Sequence, residues 1–355
     1  MKIGVFNSAW GNVGNAFFAL GLISFLRKAF PKHEVYELED PQGWLLPKKA
    51  CLRANGFIPS LENNIDVYIF TGPILKQIIM PDYDLASVIR RISESGKKYM
   101  LLSTSASEMS DLDVAAAAAI LNQYKPLLFA TRDRETYNKF KPVVPFCRDG
   151  ICCAFLIPYI DGVAAVKHRR PYFISSFYRS AEPYFAIKEP EGRVTVDSLE
   201  VRNRRNIMGL KLRISRHFEW MRKDYLSSLN GVDIIRVHQG FNPFMRWFNY
   251  GRPNSFVSYN PRCYLSVYKG CEFVVTDRVH ACAAALAYGH PARLLYENDR
   301  MGIFDRMGFV RGENGTIMPI AHSKYCDEVE SFAQCLSDVL GMPAEKISLP
   351  LCACY

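Results

Sequence analysis

The chain has 355 residues, 49% of them hydrophobic and 22% charged, enough to build cores for about two domains. A disordered chain, a collagen-like chain and a disulfide-stapled miniprotein are excluded. Forty-four Lys and Arg against 35 Asp and Glu give a net charge of +9, which favours an anionic partner (a phosphorylated substrate, a nucleic acid or a membrane surface) and does not bear on fold.

Lys2 to Phe6 is a short apolar run, predicted as a first strand. A loop over Ser8 to Asn15 follows, then a helix over Ala16 to Phe30 that Pro31 stops. Strands are expected at His33 to Leu38 and at Ile65 to Phe70, the latter running into the sharp turn Thr71-Gly72-Pro73. Leu85 to Ser95 is helical with Gly96 as its C-cap. Tyr99 to Ser103 and Leu127 to Thr131 are strands flanking a helix over Asp111 to Tyr124, and Arg134 to Phe140 is a short helix. Asp161 to Pro171 is polar and basic, and it places a boundary near residue 168.

Beyond it, Tyr172 to Phe177, Val232 to Val237, Glu272 to Thr276 and Ala292 to Leu295 read as strands. Ser198 to Leu229 reads as helical in places. Helices are expected over Tyr264 to Lys269, Val279 to Tyr288 and Glu328 to Leu340. Alternating strands and helices imply βαβ units and parallel sheets, with ligands at the carboxyl ends of the strands. The expected organisation is therefore 1–167 and 168–340 as two α/β domains around a cleft, with 341–355 as a tail.

The eleven cysteines form no C-x-x-C pair and point to a reducing, cytoplasmic compartment. Ile3 to Leu26 carries no charge and is long enough to span a bilayer. Asn7, Ser8, Asn12, Asn15 and four glycines interrupt it, so a strand, a glycine loop and a helix are the better reading. Most of the basic excess lies in one segment: Arg202 to Lys223 has eight basic residues and one acid, Glu219.

Gly11-Asn12-Val13-Gly14-Asn15 joins a strand to a helix and allows close backbone approach by an anion. It is neither a dinucleotide fingerprint nor a Walker loop, and its plain alternative is a tight turn capped by Asn. In Thr276-Asp277-Arg278-Val279-His280, Arg278 offers a fork for phosphate or carboxylate and His280 an acid or base near neutral pH. The alternative is a helix start with Arg278 paired to Asp277. Arg132, in Thr131-Arg132-Asp133-Arg134-Glu135, is either a ligand arginine or part of a solvated helix start. Asp299-Arg300 carries the same ambiguity, and His238 reads as structural.

In this order the motifs resemble those of the polysaccharide pyruvyl transferase family. Asn7 with Gly11 to Asn15 is similar to its N-x-G-[ND] loop, and Asp66 to Pro73, with Gly72, to its strand and glycine turn. Thr131 to Thr136 resembles S-x-R-[DE]-x-x-S, and Val274 to Ala281 with Ala285 to Pro291 resembles the strand, S-R-[LV]-H-[AG] and A-x-x-x-G-x-P. Tyr296, Arg300, Phe304 and Gly308 fall where the family has Y-x-x-K and a downstream aromatic. Asp277 stands for Ser, Asn15 for Asp, and Arg300 for Lys one residue later.

The resemblance implies a GT-B-like α/β fold, two Rossmann-like domains whose parallel sheets face a central cleft. It implies phosphoenolpyruvate as co-substrate, with no metal and no other cofactor, and a saccharide or lipid-linked saccharide as acceptor. Arg278, Arg300 and Arg132 are the expected donor-binding residues and His280 the general acid. Asn7, Gly11, Asn12, Gly14, Asn15 and Gly72 would form the cleft loops. Two rivals remain open: a GT-B glycosyltransferase using a nucleotide sugar, and a non-catalytic binder of anionic polymer through 202–223. That segment shows no recognisable nucleic-acid-binding motif, so no nucleic acid partner is expected. It is instead suited to a peripheral contact at the inner membrane face.

Overall fold

The computed structural model describes residues 1–7, 13–39, 65–81, 83, 85–177, 180–189, 191–204, 223–239, 251–296 and 300–345. Gly11 and Asn12 of the glycine loop, positions 205–222 of the basic segment and the tail from 346 lie outside these residues.

The first half holds β1 (Lys2–Asn7), α1 (Val13–Ala29), β2 (Glu34–Glu39), β3 (Val67–Thr71), α2 (Leu75–Ile79), α3 (Leu85–Glu94), β4 (Lys98–Thr104), α4 (Asp111–Gln123), β5 (Leu128–Thr131), α5 (Arg134–Phe140) and β6 (Cys147–Asp149). The six strands form one sheet in the order β2-β1-β3-β4-β5-β6, every pairing parallel. Helices cover both faces of such a sheet, which is why β3 reads as an unbroken apolar run with all five residues buried. The Ser110 hydroxyl caps α4, accepting from Asp113 N–H at 3.2 Å while the Asp113 carboxylate accepts from Ser110 N–H at 3.0 Å.

One expectation is corrected here. Helix α1 begins at Val13, so Gly14 and Asn15 form its first turn and are not part of a loop. Ala16, Phe17, Phe18 and Leu20 are all buried, and this apolar run carries the helix back to the loop's edge.

The second half holds β7 (Tyr172–Ser176), β8 (Tyr184–Ile187), β9 (Leu199–Arg202), β10 (Ser228–Leu229), β11 (Val232–Val237), β12 (Ser255–Phe256), α6 (Pro261–Lys269), β13 (Val274–Thr276), α7 (Val279–Ala287), β14 (Ala292–Leu294), α8 (Gly302–Met307), β15 (Thr316–Ile317) and α9 (His322–Leu340). Its sheet runs β10-β11-β7-β13-β14-β15, with β12 also on β11. The four inner strands are parallel, and β10 and β15 close the edges antiparallel.

The stretch expected to be helical from 198 opens instead as β9, paired antiparallel with β8. Its Leu-Glu-Val-Arg alternation is a strand pattern. Leu199 and Val201 turn towards Phe185, Phe173 and Phe273, a small second core on one face of this sheet. Phe173 and Phe273 stack there at 4.8 Å.

The principal core runs through both halves. Helix α1 lies against a 3-10 segment, Cys153–Tyr159, at a distance only glycine permits: a Cβ on Gly21 would stand 2.8 Å from the Cys153 carbonyl oxygen. Helix α7 packs on the same segment and on α1. Helix α9 returns to the first half, where Tyr325 donates its hydroxyl to the Phe155 carbonyl and Phe332 meets Phe25.

The strand orders create two switch points. In the first sheet, β2 lies on one side of β1 and β3 on the other, so the chain diverges at Asn7 and Thr71. In the second, β11 and β13 flank β7, so it diverges at Ser176 and Thr276. Open α/β sheets bind ligands at such carboxyl-end crevices.

Candidate active site

Arg278 lies two residues past the end of β13. Its extended backbone (φ −117°, ψ 120°) precedes the first turn of α7. Its N–H donates to Thr276 Oγ1 at 3.0 Å and its guanidinium to the Gln239 carbonyl at 3.2 Å. Asp277 is turned to other work: its carboxylate accepts from the backbone and the hydroxyl of Ser180 at 2.8 and 2.9 Å. Gln239, at the end of β11, is held by a 2.7 Å hydrogen bond from its amide to Tyr268 Oη.

His280 is the second residue of α7. Its Nε2 is buried and has no hydrogen-bond partner among the described residues. Desolvation and then the positive charges of Arg132, Arg300 and Arg278 hold its pKa well below the ordinary histidine value. The same four residues that the sequence singled out from distant stretches therefore share one electrostatic neighbourhood.

Arg132 comes from the first sheet. It leaves β5 with its N–H on the Thr104 carbonyl at 2.9 Å. The side chain is fully buried, which overturns the solvated reading of this position. None of its three guanidinium nitrogens has a hydrogen-bond partner among the described residues. Asp133 is its nearest counter-ion, with Oδ2 3.9 Å from Nε. That carboxylate is committed elsewhere, capping α5 through Thr136 N–H at 2.7 Å and accepting from Ser105 Oγ at 3.1 Å.

Arg300 precedes α8 and reaches across to the first half, where its guanidinium lies 3.6 Å from the Glu108 carboxylate. Gly302 brings the start of α8 against the same region, since a Cβ there would be 3.1 Å from Asp133 Cβ.

The remaining expected residues lie on the first sheet's switch point. Asn7 ends β1 and donates to Glu37 Oε1 at 2.6 Å, while its Oδ1 is buried without a partner among the described residues. Gly72 follows β3 with φ +99°, and the Thr71 hydroxyl is buried without a partner among the described residues. Gly14 and Asn15 stand in the first turn of α1. His238 contacts Ser255 Oγ at 3.2 Å through Nε2. Glu108, Phe18 and Gln239 were not singled out as site residues. Glu108 and Gln239 sit just past strand ends, the one position where the sequence signals them.

The site is thus a crevice of three arginines around one neutral imidazole, shared by both sheets. Guanidinium forks of this kind suit an anion. Among the described residues no three His, Cys, Asp or Glu side chains gather as a metal site requires. No described helix is long and apolar enough to cross a membrane.

A family model described as polysaccharide pyruvyl transferase matches residues 12–299. No curated protein matches the sequence significantly. Among solved structures, the fold is similar to a Listeria monocytogenes protein assigned as a UDP-N-acetylglucosamine 2-epimerase. The TM-score is 0.50 at 11% identity, over 96% of this chain and 88% of that one. It is similar to the S. aureus MnaA–UDP co-structure, with TM-score 0.50 at 10% identity, over 93% of this chain and 87% of that one. These likenesses identify a GT-B-type α/β architecture, and at such identities they speak of fold alone.

Proposed function

The chain belongs to the polysaccharide pyruvyl transferase family, and from that premise we propose that it transfers the enolpyruvyl group of phosphoenolpyruvate to a saccharide diol, free or lipid-linked, and closes a pyruvate ketal. The observation that carries this reading is the buried Arg132 guanidinium, whose nitrogens find no acceptor among the described residues although it sits beside His280, Arg278 and Arg300. A buried cation without hydrogen bonds is costly unless an anion completes it. Phosphoenolpyruvate brings a phosphate and a carboxylate in one small molecule, matching several arginines in a small volume.

In this mechanism the arginines bind the two anionic groups. Their charges keep His280 neutral in the free site, and the donor's negative charge raises its pKa so that it enters the reaction as imidazolium. It then delivers its proton to C3 of the enol as one sugar hydroxyl attacks C2. Phosphate departs with its bonding electron pair from C2, and the second hydroxyl takes its place. Two protons are released by the hydroxyls and one is consumed at C3, so His280 regains its proton from solvent and one proton per turnover is left over for the departing phosphate.

Thermal unfolding in the presence of phosphoenolpyruvate or of UDP- and GDP-sugars tests the reading. We expect stabilisation by phosphoenolpyruvate, and a mass spectrum of a ketal formed with a sugar panel. Stabilisation by a sugar nucleotide but not by phosphoenolpyruvate would replace it with a glycosyltransferase.

A further inference from the structure

We propose that Glu108 is the general base that takes the proton from the attacking hydroxyl of the saccharide. This assignment rests on the pyruvyl transfer proposed above and adds the residue on the acceptor side of the reaction.

Transfer to a hydroxyl needs a carboxylate or imidazole with open lone pairs near the donor. His280 is already the acid. Among the described residues, three carboxylates lie beside the arginine cluster. Asp133 accepts from Thr136 N–H and Ser105 Oγ and is buried. Asp277 accepts twice from Ser180 and is buried. Glu108 alone faces solvent, its side chain 51% exposed, with Arg300 at 3.6 Å as its recorded contact among the described residues. A solvated hydroxyl compound reaches this carboxylate without dismantling a helix cap or a buried loop.

The backbone supports a placed role. Glu108 has φ +96°, a conformation that residues with a Cβ rarely adopt and that clusters at functional sites. The turn is fixed by Met109 N–H on the Ala106 carbonyl at 2.9 Å and by Lys76 Nζ on the Glu108 carbonyl at 3.4 Å. It lies past the carboxyl end of β4, the strand paired with β3 at the Asn7–Thr71 switch point. Arg300 links the two sides of the reaction: its guanidinium faces both Glu108 and the neighbourhood of His280. Glu108 is thereby held on the first half by an arginine of the second.

The step balances. As the sugar oxygen bonds to C2 of the donor, its O–H bond breaks and the proton passes to a Glu108 carboxylate oxygen, then to solvent through the exposed face. When phosphate leaves, the second hydroxyl loses its proton by the same route and closes the ketal.

Glu108→Gln and Glu108→Gly in the full-length enzyme test the assignment. The glycine variant relieves the positive φ, so it folds at least as well as the parent. We expect phosphoenolpyruvate to bind both variants as tightly as the parent or up to several-fold more tightly, because Arg300 loses a competitor. Turnover should fall about a hundredfold or more in both, and formate should restore part of it in the glycine variant, where the carboxylate's space is open. Turnover within threefold of the parent overturns the assignment. Loss of phosphoenolpyruvate binding in both variants also overturns it, since Glu108 would then be a support for Arg300. A parent enzyme that forms no ketal from phosphoenolpyruvate with any of a panel of methyl hexosides and lipid-linked sugars removes the transfer reaction itself, and the base with it.

Discussion

The imidazole of His280 meets the ring of Phe18 edge-on, with centroids 5.4 Å apart and planes inclined at 72°. Phe18 belongs to α1, so a residue of the first half orients the imidazole of the second. The same ring lies over Gly72, where a Cβ would stand 2.6 Å from Phe18 Cζ on a backbone at φ +99°. Gly72→Ala therefore strains the turn and drives Phe18 towards His280. We expect a loss of about 2–4 kcal/mol in unfolding free energy, together with lower turnover. Adding Phe18→Leu to Gly72→Ala should recover about 1 kcal/mol or more of that loss, because the two residues share one space. Strict additivity of the two changes in denaturant unfolding would show that they do not.

His280 also makes stability depend on pH. Its folded-state pKa lies well below the ordinary value of 6.5, so the unfolded chain binds the extra proton first. Stability is then full above pH 6.5 and is lost as pH falls towards the folded pKa, at up to about 1.4 kcal/mol per pH unit. His290, half-buried with Nε2 on the Lys269 carbonyl at 3.1 Å, shifts in the same direction and adds to the loss. We expect the ligand-free protein to weaken between pH 6.5 and 5 and His280→Gln to weaken less. Phosphoenolpyruvate binding should take up a proton near neutral pH, visible as a binding enthalpy that changes with the buffer's ionisation enthalpy. His280→Gln should abolish that dependence.

The sequence made the two parallel sheets legible because a buried parallel strand is an unbroken apolar run, as in Val67–Thr71 and Val274–Thr276. It made Arg278 and His280 legible because both lie within four residues of the end of such a run. It did not bring Arg132 to His280, since 148 positions separate them in the numbering (280 − 132) and tertiary packing, chiefly of α7 on α1 and the 3-10 segment, joins their sheets. Glu108 escaped for a different reason. Its role depends on a positive φ and on Arg300, and neither leaves a periodic trace in the residues around it. Strand β9 falls in a stretch that reads as helical in places because four alternating residues are too short a pattern to outweigh the basic stretch that follows them.

The second half carries a buried ion pair that the reaction does not use. Arg236 and Glu182 are 1% and 2% exposed and meet at 2.8 to 3.1 Å through both carboxylate oxygens. Arg236 also donates to the carbonyls of Pro253 and Leu226 at 2.8 Å, so it fastens β11 to two loops. Removing one partner leaves a buried charge unpaired. Glu182→Ala should cost about 3–5 kcal/mol, and Glu182→Gln, which keeps acceptors for the guanidinium, appreciably less. Equal melting temperatures for Glu182→Ala and the parent would contradict this. Donor affinity per folded molecule should be unchanged in both variants, since the pair stands apart from the arginine crevice.

Arg132 should behave in the opposite way. Its guanidinium is buried with no hydrogen-bond acceptor among the described residues and only a distant carboxylate at 3.9 Å, so in the ligand-free protein it is a net cost. Arg132→Met keeps the length of the side chain and removes the charge. We expect it to raise the stability of the ligand-free protein by about 1–3 kcal/mol. The same variant should lose the stabilisation by phosphoenolpyruvate and at least about a hundredfold in turnover, because the fork that receives the anion is gone. Without that charge, the pKa of His280 should also rise towards its ordinary value, so the acid-induced weakening of the ligand-free protein becomes shallower. Arg132→Lys should fall between the two, restoring a charge but not the fork. A ligand-free Arg132→Met protein less stable than the parent would mean that the guanidinium is held by contacts that stabilise the fold, and the argument for an anion at this position would fail with it.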